Sequence, residues 1–307
     1  MVQQAALTII GVAGTLLCFL GGSSLGPMGA MLNVLTPLPI SYLCMRFGLR
    51  TGVTATSLTV LALSFMLPLP TLLTYAALFG CSALLLPTML LRRFSWERAV
   101  ALTVCCVVAL ALVLVGSYVV VSGQAPATLI DHYLQNEIDT AMQVYQGADL
   151  DQQQLQQMEE VARQVADFIR DTFVGLYIAG VLAVQLLTLL LLQRLRKDHY
   201  QIEGVPFPAL RLPAVLIWVL ILVGFSLLIP QESIQLVARN GLAVLLPLYF
   251  LQGLAVVADF LQKRAYPAAL KGMIYVMVFL FNPLPLIVTG VGVFDLWVDF
   301  RRPRQKK

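Results

Sequence analysis

Nine runs of mostly apolar residues, at positions 5–20, 28–44, 51–66, 71–91, 100–121, 172–192, 213–228, 241–260 and 272–297, follow one another with only one sizeable polar interruption. Lipid is the solvent such runs require. About 20 residues of helix cross a bilayer core, and backbone in hydrocarbon must satisfy its hydrogen bonds within the helix. Composition agrees, with 59% of 307 residues apolar and 12% charged, against about 45–50% and about 25% in a soluble domain. A soluble domain, a disordered chain and a collagen-like repeat are thereby excluded. The expected fold is an all-α, polytopic integral membrane helix bundle of about eight full spans plus a broken or re-entrant C-terminal segment, with a small helical extracytoplasmic insert. Residues 1–121 read as an N-terminal membrane bundle, 122–171 as the acidic insert, and 172–307 as a C-terminal bundle with a basic tail.

The charges are segregated. The insert holds nine acids and two bases, a balance of −7, which leaves +11 on the rest of a chain whose net charge is +4. The bases gather in short stretches between apolar runs: Arg46 and Arg50; Arg92, Arg93 and Arg98; Arg194, Arg196, Lys197 and Arg211; Lys263, Arg264 and Lys271; and the tail from Arg301. Short Lys/Arg-rich loops stay in the cytoplasm, so the N-terminus is expected inside and residues 122–171 outside. Arg239 is the one base on the wrong side. Bases scattered beside apolar spans do not make a nucleic-acid surface. The expected contacts are the lipid bilayer, a small-molecule ligand and a membrane protein partner.

Within the insert, Ile130, Tyr133, Leu134, Ile138 and Met142 recur near helical spacing. Leu155, Met158, Ala162, Val165 and Ile169 form a second stripe that should run unbroken into the sixth span after a cap at Asp149 or Asp151. Packing of these two helices on each other is the favoured reading, with a dimer contact as its rival. In the last apolar run, Asn282-Pro283-Leu284-Pro285 interrupts the middle, and proline removes a helix donor and clashes with the preceding turn. A broken, partly re-entrant hairpin is favoured over one kinked span.

Few motifs carry chemistry. Gly22-Ser23-Ser24-Leu25-Gly26 fits GxSxG, but a nucleophile elbow needs a strand-turn-helix and these flanks are apolar helices. Gly22, Gly26 and Ala30 have the small-xxx-small spacing of close helix packing, which explains the stretch better than catalysis. His132 and His199 lack companions at zinc spacing, and the five cysteines lie in apolar runs as small buried side chains. No enzyme, cofactor or metal is expected.

Uncharged polar residues at depth are Asn33, Thr36, Gln185, Tyr249, Gln252 and Asn282. Asn33, Thr36 and Asn282 adjoin prolines that free backbone carbonyls, and such groups can line a solute site. With Gln252 they are the candidate ligand-facing residues, and residues 22–29 are expected to form a loop that helps shape the site. Asp259 near Lys263, and Asp295 and Asp299 near Arg301 and Arg302, are candidate structural or coupling charges.

The tail from Gly292 to Arg302, the segment Phe207-Pro208-Ala209-Leu210-Arg211-Leu212-Pro213 with the Trp218 run, and the stretch from Asn240 to Gln252 resemble the YybS-like family of bacterial multi-spanning membrane proteins. Pro37-Leu38-Pro39 with Arg46-Phe47-Gly48-Leu49-Arg50 is compatible with the same family. The resemblance implies the bacterial inner membrane and a distant likeness to the S components of energy-coupling-factor transporters. Those proteins bind a small ligand in a helical bundle and dock a partner through Ala-x-x-x-Ala on the first helix. Here the first span has Ala5, Ala6 and Ala13 but no such pair, and Ala265 and Ala269 carry the spacing elsewhere. The expected function is small-solute binding or transport without an ATPase of its own. The alternative is a scaffold that recruits partners through the insert or the basic loops.

Overall fold

The structure, a computed structural model, describes residues 2–24, 26–146, 152–195, 202–264 and 266–301, and among these every regular element is helical. His199, Ala265, the expected cap at Asp149 or Asp151, and the basic residues beyond Arg301 lie outside the described residues. The chain divides into two compact units, Met1–Pro126 with Gly180–Gly204, and Ala127–Ala179 with Val205–Lys307. One helix contributes residues to both units.

In the first unit, α1 (Val2–Ser24) is followed by α2 (Gly26–Leu35), α3 (Leu38–Phe47) and α4 (Leu49–Ser64). The expected loop at 22–29 is instead helical, apart from Leu25, which is not among the described residues. A side chain at Gly29 would strike the carbonyls of Gly21 and Gly22, so α1 and α2 touch backbone to backbone. The single span expected over 28–44 is broken at Thr36 and Pro37. Pro37 precedes α3 and Pro39 takes its second position, where a missing N–H is tolerated. Gly48, at a φ of 87°, turns the chain into α4.

The unit continues through α5 (Leu69–Tyr75), a π-helical turn (Ala76–Gly80) and α6 (Cys81–Leu91), then α7 (Trp96–Ser122). Its core includes edge-on contacts of Phe19 with Tyr75 and Phe79, at 5.0 and 5.8 Å between ring centroids. A second cluster joins Met45, Leu86, Leu90, Val100, Leu189 and Leu192.

The second unit begins with α8 (Pro126–Gln146) and α9 (Gln152–Leu195), a 44-residue helix whose C-terminal part belongs to the first unit. The helical hairpin and its unbroken run into the sixth span are therefore present. Arg170 pairs with Asp131 across the hairpin at 3.0 Å. Of the expected stripe Leu155, Met158, Ala162 and Ile169 are half-buried, and Val165 alone departs from it at 51% exposed. A 3₁₀ turn (Phe207–Ala209) leads to α10 (Val215–Ser226), α11 (Glu232–Lys263), α12 (Ala268–Leu280) and α13 (Leu284–Val298). Side chains at Gly253 or Gly292 would collide with the carbonyls of Val288 and Tyr249 respectively, so α11 and α13 also meet at backbone distance.

Among the described residues five helical stretches are long and apolar enough to cross a membrane: Gln3–Gly22, Leu69–Leu91, Trp96–Ser122, Gln153–Leu195 and Glu232–Lys263. The pair Ala268–Leu280 and Leu284–Val298 reaches that length and hydropathy only together, and it is bent by 102° at the Asn282-Pro283 break, the geometry of a broken span or a re-entrant loop. Among the described residues the expected count of eight full spans is not confirmed. Besides the break at Pro37, α4 has 16 residues and α10 has 12, or about 24 and about 18 Å of helix against a hydrocarbon core of about 30 Å. On α7, Leu112, Val113, Val120 and Val121 are each more than 60% exposed. In water that face would be an aggregating patch, whereas in lipid it is an ordinary outer surface.

Candidate functional site

The second unit gathers all four expected charges at one end of α11 and α13. Asp295, on the last turn of α13, has a side chain 1% exposed, and its Oδ2 lies 2.6 Å from Nη2 of Arg301, whose side chain is 6% exposed. Arg301 also donates from Nη1 to the Pro208 carbonyl at 2.8 Å, while Lys263 Nζ donates to the Arg301 carbonyl at 2.6 Å. Lys263 in turn pairs with Asp259 at 2.7 Å, one helical turn back. With Arg302 outside the described residues and the Arg301 guanidinium engaged by Asp295, Asp299 turns to a third arginine. It caps α13 in the left-handed region at a φ of 48°, a conformation Asp tolerates better than most residues, and binds Arg211 at 2.6 Å. The cap is what turns the chain back so that Arg301 reaches Asp295.

One to two turns deeper, Gln252 accepts from the Leu212 amide at 2.9 Å and donates to the Gly292 carbonyl at 3.0 Å. Both ends of its carboxamide are engaged by backbone, so it braces α11, α13 and the segment before α10. Asn282 is exposed at the bend between α12 and α13. The structure thus brings Gln252 and the four charges into one locus and leaves Asn282 away from it.

Asn33 and Thr36 belong to the first unit. Thr36 is fully buried, and neither its Oγ1 nor Asn33 Oδ1 has a hydrogen-bond partner among the described residues. Asn33 packs on Gly22, where any side chain would strike its carboxamide. In the same unit Gln185 is fully buried on α9 and donates to Ser82 Oγ at 2.6 Å, leaving Oε1 unpartnered, as is Oγ1 of Thr188 one turn on. Ser82 is the second residue after the π-helical turn, and such turns are frequent at functional sites. Buried polar atoms without partners are few in folded proteins.

Sequence reasoning missed three participants. Asn240 donates to the Asp171 carbonyl at 2.6 Å and accepts from the Gly175 amide at 2.8 Å, bridging the two groups that helical geometry pairs within α9. Arg239, the base that broke the charge pattern, forms an ion pair with Asp171. Arg211 stood inside a conspicuous Pro-flanked segment, but nothing in its spacing pointed to Asp299, 88 residues away. On the hairpin, Arg163 forks onto Glu159 at 2.7 and 3.1 Å. Burial, then the Glu137 carboxylate, pushes the Tyr133 phenol above its ordinary pKa.

Among the described residues no three His, Cys, Asp or Glu side chains come together as a metal ion would need. His132 contacts Asn136 at 3.2 Å. GxSxG falls across the α1–α2 junction, between two helices. Of the five cysteines Cys44 is buried, Cys18 and Cys81 are half-buried, and Cys105 and Cys106 are exposed on α7, so burial of all five does not hold.

Long apolar helices with apolar outer faces, closed at one end by a buried ion pair, define a multi-pass helical membrane protein. The chain belongs to the DUF2232 family of predicted membrane proteins, whose sequence pattern matches residues 12–296. No match emerges among curated proteins or among solved structures.

Proposed function

We propose that this chain is a bacterial inner-membrane protein that binds and passes a small solute, similar in role to the S components of energy-coupling-factor transporters and without catalytic or ATPase activity of its own. One observation carries the reading. Four buried side-chain atoms of the first unit, Asn33 Oδ1, Thr36 Oγ1, Gln185 Oε1 and Thr188 Oγ1, have no partner among the described residues. A buried polar group without a hydrogen bond costs about 1–3 kcal/mol, and a solute with donors and acceptors would recover that loss. The basic inter-helix turns and the acidic hairpin support an N-terminus in the cytoplasm and residues 122–171 outside. Any energy source would then reside in a partner.

Native mass spectrometry of protein purified from its own membrane tests this. The expected result is a co-purifying small molecule that disappears in Asn33→Ala/Thr36→Val protein of unchanged melting temperature. A ligand-free wild type, with uptake by cells unaffected by the variant, would refute it.

The scaffold reading has one observation in its favour. Val161, Val165 and Phe168 on α9 are each more than half exposed beside Glu160, Asp167 and Asp171. Deletion of residues 124–170 separates the two. A scaffold loses its cross-linked partners, whereas a solute bundle keeps its ligand.

A further inference from the structure

The N-terminal turns of α1 and α4 stand side by side, joined by a bond from Gln4 Nε2 to Thr51 Oγ1 at 2.9 Å. Between the two helices runs an open groove of about 520 Å³, lined among others by Gln4, Thr8, Ile9, Arg50, Thr54 and Leu58. Its two ends differ. Ile9 and Leu58, 68% and 49% exposed, lie about one and two turns further along their helices than Gln4 and Arg50, and face the space that lipid chains fill. Donors are confined to the other end. Thr8 and Thr54 spend their hydroxyl protons on the carbonyls of Gln4 and Thr51, which leaves the Arg50 guanidinium and the second N–H of the Gln4 amide.

Among the described residues Arg50 is the only charged one lining the groove, and no acid there offsets it. It makes no ion pair or hydrogen bond among the described residues. Its neighbour Arg46, by contrast, is bonded to Tyr42 and lies over the Phe47 ring. A cation and an amide donor at the mouth of a groove that becomes apolar toward the bilayer interior match a molecule with an anionic head and hydrocarbon chains. We propose that this groove seats an anionic phospholipid, its phosphate on Arg50 and Gln4 and an acyl chain along Ile9 and Leu58. Lipid is present wherever a spanning helix faces outward, so only the choice of headgroup is left to the protein. A basic pocket between spanning helices makes that choice in favour of negative charge.

The test uses the full chain in nanodiscs of equimolar phosphatidylglycerol and phosphatidylcholine, followed by release and native mass spectrometry of the lipids that stay bound. About fivefold enrichment of phosphatidylglycerol is expected from one basic contact near the membrane surface, falling to parity in Arg50→Gln and unchanged in Arg92→Gln, which removes a charge away from the groove. Leu58→Trp fills the apolar end and should release both lipids, which keeps the proposal testable if Arg50→Gln fails to fold. Enrichment that survives Arg50→Gln, or that Arg92→Gln abolishes equally, would overturn it. So would displacement of the lipid by inorganic phosphate, since the site would then belong to a small free anion.

Discussion

Asp295 and Arg301 are two charges taken out of water within hydrogen-bonding distance of each other, and their value to the fold depends on both being present. Removing one partner of a buried pair leaves the other uncompensated at a cost of about 3–5 kcal/mol, whereas replacing both by apolar residues of similar size is close to neutral. Arg301→Met is therefore expected to lower stability by that amount in a reversible unfolding titration in detergent micelles, and Asp295→Leu/Arg301→Met to recover most of it. A double variant as unstable as the single one would show that Arg301 matters through the Pro208 carbonyl instead. The Arg211–Asp299 pair is different. Arg211 is 57% exposed, and Arg211→Ala should shift stability by less than about 1 kcal/mol. The sequence marked the acids as anomalous, because carboxylates among so many bases need a reason. It could not assign their partners, since the left-handed cap at Asp299 decides which carboxylate Arg301 meets, and a backbone reversal of that kind has no periodicity to read.

The break between α2 and α3 and the continuity of α9 are opposite outcomes of the same reading. Apolar residues on both sides of Pro37 hide a helix break inside a run of sufficient length, so hydropathy alone counted one span where there are two helices of ten residues each. From position 152 to 195 no proline interrupts and the apolar stripe never loses its spacing, so the 44-residue helix was legible before its packing was known. What holds that helix against α11 was not legible. Asn240 makes side-chain bonds to the Asp171 carbonyl and the Gly175 amide, and Gly175 has no room for a side chain against the Asn240 and Ala243 backbone and methyl. Asn240→Ala should cost about 1–3 kcal/mol and raise amide exchange locally at Gly175, measured by hydrogen exchange in micelles. Protection unchanged at Gly175 would mean that the α9 ladder closes without the asparagine.

For the whole molecule, the distribution of charge predicts an orientation, and the bent C-terminal pair is where that rule meets its hardest case. Arg239 lies where a cytoplasmic rule would exclude it, yet its pairing with Asp171 reduces its weight as a free positive charge. Thr140, in the acidic hairpin, and Arg92, at the end of α6, should therefore lie on opposite sides. Introduced singly as cysteines in an otherwise cysteine-free chain, Thr140→Cys is expected to react with an impermeant maleimide in intact spheroplasts, and Arg92→Cys only after permeabilisation. The C-terminus then discriminates between two paths for α12 and α13. Each has 13 to 15 residues, about 20 to 22 Å of helix, too short to cross a hydrocarbon core of about 30 Å alone. Joined at a 102° bend they cannot cross as one straight rod either. A re-entrant hairpin returns the tail to the side it left, placing Lys307 with Arg92 and Lys263. A reporter fused after Lys307 should accordingly be active only as a cytoplasmic fusion. Activity as an extracytoplasmic fusion would mean that the pair straightens and crosses, and that the basic tail leaves the side to which the other bases are assigned.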